Sequence, residues 1–122
     1  MTESPDIESL VGTTDPEFTH ILSCVFGIRD HESRTYLTLL DYPGSTVSEL
    51  ATTLDRDRSN VNRSLSTLRE KGLVTRERRL LDPGGYVYQY TAVDLPTAKQ
   101  LLHDALDEWS TAVHDSIDDF GD

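Results

Sequence analysis

The sequence predicts a mainly α-helical chain with one small β-hairpin, an α+β fold in 122 residues. Three observations predict it. Apolar residues recur at intervals of three and four through most of 17–72 and again through 95–120, as on amphipathic helices. Between these stretches, residues 73–91 alternate as strands do, around the turn Asp82-Pro83-Gly84-Gly85. Helix-start and helix-stop residues fall where the helical patterns begin and end. The length suits one domain with one modest core.

Residues 1–16 (MTESPDIESLVGTTDP) are acidic and punctuated by Gly and Pro, so a flexible acidic tail is expected there. In 17–28, Phe18, Ile21, Leu22, Val25 and Phe26 share a helical face that stops near Gly27. Asp30 stands where a second helix needs an N-cap, with Glu32 in its first turn. Tyr36, Leu37, Leu39 and Leu40 supply its core face, and Pro43-Gly44 ends it. Thr46-Val47-Ser48-Glu49 has the form of a capping box, T-x-x-E, and a two-turn helix is expected from about Val47 to Leu54. Asp55-Arg56 makes a short turn.

The next helix, 57–72, has both ends marked. Asp57 can cap its first N–H groups, and Gly72 can take the left-handed position past its end. Val61, Leu65 and Leu68 form one apolar face. At about 100° per residue, Ser59, Arg63, Ser66 and Thr67 point nearly the opposite way, with Asn60 and Asn62 on the flanks. Such side chains can enter a DNA major groove and pair with base edges. Two short helices joined by a tight turn, the second with a polar outer face, make a helix-turn-helix.

Leu73–Leu80 reads as a strand and Tyr86–Thr91 as its return, rich in aromatic and β-branched residues. A hairpin placed directly after the second helix is a wing, so 17–94 is expected to be a winged helix-turn-helix domain. Tyr86, Tyr88 and Tyr90 are expected to pack under that wing. Pro96 opens a last helix over 95–122. It is longer than a small core can cover, and Trp109 is a large residue to leave in water. A partner helix is expected, the same helix of a second subunit, meeting it through Leu102, Ala105, Leu106, Trp109, Val113 and Ile117.

The net charge is −11, which alone disfavours nucleic acid. Its distribution says otherwise. Residues 56–79 hold eight cations (Arg56, Arg58, Arg63, Arg69, Lys71, Arg76, Arg78, Arg79) against Asp57, Glu70 and Glu77, a net +5. The remainder therefore carries −16. Only two of the eleven basic residues are Lys, and Asp (14) outnumbers Glu (8). That bias suits a surface kept soluble in concentrated salt, so a halophilic archaeon is the expected source.

Other chemistry is excluded on spacing. No apolar run approaches the ~20 residues of a membrane helix. The acidic N-terminus has no secretory pattern, so a cytoplasmic location without membrane partners is expected. The single Cys24 excludes an intrachain disulfide and a Cys-based zinc finger. His20 and Cys24 lie four apart on one helix, but two ligands do not close a zinc site, and Cys24 reads as a core or interface residue. No Gly-rich phosphate loop and no Ser/His/Asp constellation is present. Asp104, Asp107 and Glu108 read as a solvated face. No metal, cofactor or enzyme activity is expected, and the sequence points to no effector.

Three phrases carry a family resemblance: Thr46-Val47-Ser48-Glu49-Leu50-Ala51, Asp57-Arg58-Ser59-Asn60-Val61-Asn62-Arg63-Ser64-Leu65 and Leu68-Arg69-Glu70-Lys71-Gly72-Leu73-Val74. They resemble the "(S/T)-V-x-E-L-A", "(R/S)-(S/T)-x-V-x-R-x-(L/V)" and "L-x-x-K-G-L-V" motifs of archaeal TrmB-like and MarR-like winged-helix transcriptional regulators. The resemblance covers roughly residues 30–92 and implies double-stranded DNA as the partner. It would set Ser59, Asn60, Asn62, Arg63, Ser66 and Thr67 toward the major groove, with Arg63 on a guanine and an Asn on an adenine. It would set Arg56 and Arg58 at phosphates, with Thr46 and Ser48 adding backbone contacts. Arg76, Arg78 and Arg79 would carry the wing to the flanking minor groove or phosphates, and Gly84 and Gly85 would let its tip approach. At 122 residues the chain has no room for the large sugar-binding domain that follows the winged helix in TrmB, so sugar sensing is not expected.

The function expected is therefore a homodimeric, sequence-specific DNA-binding regulator on a pseudo-palindromic promoter site, acting by repression. The competing class is a winged-helix protein-interaction module in transcription or replication that does not read DNA sequence. The acidic body would suit basic protein partners, whereas the polar helix face and the clustered cations favour DNA.

Overall fold

The computed structural model describes residues 17–122, so the expected acidic tail, 1–16, lies outside the described residues. Helix α1 spans Phe18–Phe26 and stops where Gly27 turns left-handed at φ +71°, its N–H donating to the Ser23 carbonyl. Helix α2 spans Asp30–Asp41. Its N-cap is Arg29, one residue before the expected Asp30. The reason is Glu32, whose carboxylate accepts from the Arg29 N–H at 2.7 Å and closes the turn from inside the helix. Asp30 instead pairs with Arg34 at 2.9 Å, the one ion pair among the described residues.

Helix α3 spans Val47–Leu54 and opens with the expected capping box. The Glu49 N–H donates to Thr46 Oγ1 at 3.2 Å, and Glu49 Oε1 accepts from the Thr46 N–H at 2.9 Å. Asp55 then turns left-handed at φ +55°, uncommon outside glycine, and the Arg56 N–H donates back to the Ala51 carbonyl. That compact turn launches α4, Arg58–Glu70. Asp57 holds the N-cap position, but its carboxylate accepts from the Asn60 amide at 2.8 Å rather than from a backbone N–H. At the other end, Gly72 (φ +79°) donates to Arg69 and Leu73 donates to Leu68, the paired bonds of a Schellman close. Leu68 and Leu73 are both fully buried, so the close is welded to the core.

Strands β1 (Val74–Leu80) and β2 (Tyr86–Ala92) pair antiparallel, from Val74 opposite Ala92 to Leu80 opposite Tyr86. Their base is fixed on both sides. Val74, Tyr90 and Ala92 enter the core, and Tyr90 exchanges backbone hydrogen bonds with the loop before α3 (to Ser45 at 2.8 Å, from Gly44 at 2.9 Å). The hairpin tip is exposed. Helix α5 runs Leu95–Asp119, about 37 Å at 1.5 Å per residue, with Pro96 in its first turn.

The core gathers Leu22 of α1, Tyr36 and Leu39 of α2, Leu50 of α3, the inner face of α4 (Val61, Leu65, Leu68), the wing base and Ala98 and Leu102 of α5. Leu102, expected at a subunit interface, lies in this core and is 7% exposed. The physical reason is that α5 packs its first two turns against the chain's own α1. Farther along, Trp109 (60% exposed), Ile117 (63%) and Phe120 (89%) are not covered. Cys24 is exposed and not a core residue, because it projects from the solvent side of α1 beside His20, Sγ to Nε2 at 3.6 Å.

Tyr36 ties α2 to the β2–α5 junction. Its ring is fully buried and its hydroxyl donates to the Val93 carbonyl at 2.9 Å. Burial first, and the Asp94 charge second, push its pKa up to about 12. Among the described residues no helix is long and apolar enough to cross a membrane.

Candidate nucleic-acid interface

The packing of α4 decides what it offers to solvent. Val61, Ser64, Leu65 and Leu68 are buried, so the opposite side must face out. Ser59, Asn62, Arg63 and Ser66 are exposed there, with Asn60 and Thr67 half-buried on the flanks. The outward side chains are organised rather than loose. Arg63 donates to the side-chain Oδ1 of Asn60, and the Asn60 side-chain amide donates to the Asp57 carboxylate at 2.8 Å. This Asp57–Asn60–Arg63 chain runs along the helix surface at steps of three and holds the guanidinium at the exposed edge.

A groove of about 440 Å³ separates the N-terminal turn of α4 from the wing. One wall is the start of α3 (Thr46, Val47, Ser48) with Arg58 and Asn62; the other is Arg76 with Tyr86 and Tyr88. The α3 N-terminus adds the positive end of a helix dipole. Arg58 and Arg76 thus face one another across a cleft with polar hydroxyls on its rim. Neither forms an ion pair among the described residues.

Strand alternation sorts the wing. The register puts Arg76, Arg78 and Leu80 on the same face as Tyr90, Tyr88 and Tyr86. Arg76 lies over the Tyr88 ring at 3.9 Å and Arg78 over Tyr86 at 5.2 Å, two cation–π contacts that pair a planar cation with each ring. Tyr90, its cross-strand partner, holds the Arg76 pKa above the ordinary arginine value. Tyr90 packs beneath the wing as expected and Tyr88 is partly buried against the core, whereas Tyr86 is half exposed; Tyr86 and Tyr88 also form a wall of the cleft. Strand period and the Arg spacing carry that signal in the sequence, because Arg76 and Arg78 are two apart, as are Tyr86 and Tyr88.

Two expected members are turned elsewhere. Arg79 alternates onto the opposite face of the hairpin, beside Glu77, because neighbours in a strand cannot share a face. Arg56 is half-buried, and its guanidinium donates to Ser64 Oγ on the inner side of α4 at 3.4 Å. The left-handed Asp55 aims it there. Arg56 also helps hold the His31 pKa below its ordinary value, second to burial. Gly85 sits at φ +82° and passes its carbonyl to the Leu81 N–H, which explains a glycine at that position; Gly84 has no such constraint. Thr46 Oγ1 is engaged by its own helix, whereas Ser48 is exposed on the rim. Among the described residues no three His, Cys, Asp or Glu side chains gather as a metal site.

Residues 22–96 match the family model described as "Sugar-specific transcriptional regulator TrmB". The chain belongs to the TrmB family. Two Methanocaldococcus jannaschii proteins, MJ1503 and MJ1082, are 33% and 36% identical over 75% and 73% of this chain, covering 70% and 73% of their own lengths. Among solved structures, a possible transcriptional regulator from Methanosarcina mazei superposes with a TM-score of 0.74 at 22% identity, covering 84% of this chain and 88% of that one. The archaeal chromatin protein TrmBL2 superposes with a TM-score of 0.60 at 21% identity over 82% of this chain and 35% of that one. A mutant of the Staphylococcus aureus protein MepR, bound to an oligodeoxyribonucleotide, gives 0.55 at 14% identity over the whole of this chain and 86% of that one. At such identities the structural likeness shows a shared winged-helix fold. The family match makes the protein a DNA-binding transcriptional regulator rather than an enzyme. The matched stretch is the winged helix with the start of α5.

Proposed function

We propose that the protein is a homodimeric, sequence-specific DNA-binding repressor acting on a pseudo-palindromic promoter site. One observation carries the reading. The outer face of α4 is polar and cationic and opens directly into the cleft between Arg58 and Arg76, while most of the remaining surface is acidic. Affinity for phosphate is then confined to one face, and the −16 body opposes diffuse coating of DNA.

The geometry supports the following division of labour. Arg63, steadied by Asn60, reads a guanine edge in the major groove, with Ser59, Asn62 and Ser66 beside it and Thr67 at the margin. Arg58, Arg76 and Ser48, with the N-terminus of α3, take a phosphate run in the cleft. Arg78 and the Gly84-Gly85 tip reach the flanking minor groove. The uncovered half of α5 joins two copies, so that two α4 helices enter successive major grooves about one helical turn apart. Bound across a promoter, such a dimer blocks access to it. MepR carries an oligodeoxyribonucleotide on the same fold, which supports this reading.

A mobility-shift assay with the organism's own promoter fragments at high salt tests the proposal. Discrete complexes with a few fragments, competed by those fragments and not by random duplex, are expected. Failure to bind any DNA at all salt concentrations would point to a protein-interaction module instead.

A further inference from the structure

Asp57 puts an anion where phosphate is to bind. Of the three acidic residues in 56–79, Glu70 ends α4 and Glu77 lies on the opposite face of the hairpin from Arg76. Asp57 immediately precedes Arg58, which lines the cleft. A carboxylate there opposes phosphate at the start of α4, whatever the base sequence. It does not cap the helix, since its side chain accepts from no backbone N–H, and among the described residues it forms no ion pair. Its side-chain partner is the Asn60 amide, at 2.8 Å.

The chemistry of Asp57, Asn60 and Arg63 fixes the direction of their hydrogen bonds. An ionised carboxylate only accepts and a guanidinium only donates, so a group between them must do both. The Asn60 carboxamide does, with Nδ2 toward Asp57 and Oδ1 toward Arg63. Reversed, it would set acceptor against acceptor and donor against donor. Bidentate readout of adenine needs both ends of an Asn, and both ends of Asn60 are engaged. Adenine readout therefore falls to Asn62, exposed at the cleft. Arg63 gives Asn60 one N–H of Nη2 and keeps its remaining donors for a guanine edge.

We propose that Asp57 is a positioning residue for specificity: through Asn60 it presets Arg63 for guanine, while its charge weakens binding to every sequence alike. This rests on the reading of α4 given above and adds the residue that sets its selectivity. Ordering a long side chain on binding costs affinity, and Asp57 and Asn60 order Arg63 beforehand. That gain reaches only the sequence Arg63 reads, whereas the repulsion of phosphate falls on all DNA. Binding to random duplex drops, and the ratio of specific to random binding rises.

Fluorescence anisotropy tests this with the duplex that the unaltered chain selects from a random library, its single-base variants and random duplex. Arg63→Ala identifies the base pair that Arg63 reads. Asp57→Ala is expected to strengthen binding to random duplex and to cut discrimination at that base pair by about 2- to 10-fold. Asp57→Asn keeps a carbonyl oxygen for Asn60, so it should strengthen random binding equally and retain the discrimination. Asn60→Ala should cut discrimination as Asp57→Ala does, at that base pair alone and without the gain on random duplex. Where Asp57→Ala lowers the melting temperature, Asn60→Ala carries the same test from inside the helix. In an Arg63→Ala background, Asp57→Ala should leave base preference unaltered. Full discrimination in both Asp57→Ala and Asn60→Ala would overturn the proposal, as would an Asp57→Ala effect that persists without Arg63. Equal losses in Asp57→Asn and Asp57→Ala would overturn the hydrogen-bonded link. Relaxed preference at a second base pair in Asn60→Ala would make Asn60 a base reader and overturn it too. Failure of the α4 reading itself looks different: the library converges on no sequence, or Arg63→Ala keeps every base preference.

Discussion

Arg63→Ala removes the side chain with the most to lose in DNA and the least in the fold. Its guanidinium is exposed, and its one side-chain partner is Asn60 on the same helix. Alanine is a better helix former than arginine, so folding stability should change by less than about 0.5 kcal/mol. A bidentate guanine contact discriminates by roughly 1–3 kcal/mol. At about 1.4 kcal/mol per tenfold, that is a loss of about 5- to 150-fold for each half-site, multiplied over two half-sites in a dimer. Fluorescence anisotropy with the selected operator would measure the loss, and a panel of single-base variants would show discrimination relaxed at one position per half-site. Circular dichroism should show an unchanged melting temperature. Unchanged affinity and unchanged base preference would refute the assignment of α4 as the reading helix.

Arg58→Gln should lower the slope of log affinity against log salt by about one per protomer, while Arg56→Gln, whose side chain points to Ser64, should leave that slope alone and reduce stability; titrations at several salt concentrations separate the two. Tyr36→Phe should cost about 1–3 kcal/mol in urea unfolding by orphaning the Val93 carbonyl, with operator affinity unchanged in native buffer. His31 has its pKa lowered by burial and then by Arg56, so the unfolded chain takes up its proton first as pH falls. Its stabilisation is complete above the ordinary value of 6.5 and is lost as pH drops below it. Urea midpoints at pH 7.5 and 5.5 should accordingly fall further in the native chain than in His31→Gln.

Local signals place the elements well because their causes are local. A Thr and a Glu three apart close the α3 cap wherever the rest of the chain lies, and Gly27 and Gly72 end helices by their own φ. The apolar stripe of Val61, Leu65 and Leu68 identifies the buried face of α4, and by subtraction the outward one. What the sequence hides depends on contacts between distant residues. Arg56 looks like a neighbour of Arg58, but the left-handed Asp55 and the hydroxyl of Ser64 turn it inward. Leu102 and Trp109 share a stripe, and only the position of α1 decides that one is core and the other uncovered. The bond from Tyr36 to Val93 joins residues 57 apart, which no periodicity reports. Counting charge without strand parity misplaces Arg79, although the alternation that sorts it is itself a local signal.

The footprint on a site the protein itself chooses tests its mode of binding most directly. Duplexes would be selected from a random library by the full chain, and the winning sequence probed by hydroxyl-radical cleavage. The expected result is a pseudo-palindrome whose two protected half-sites are centred about 10 base pairs apart, with protection on one face of the helix and weaker protection under the wing. Selection that converges on no sequence, or a single half-site protected by one copy, would contradict a dimer reading DNA through α4.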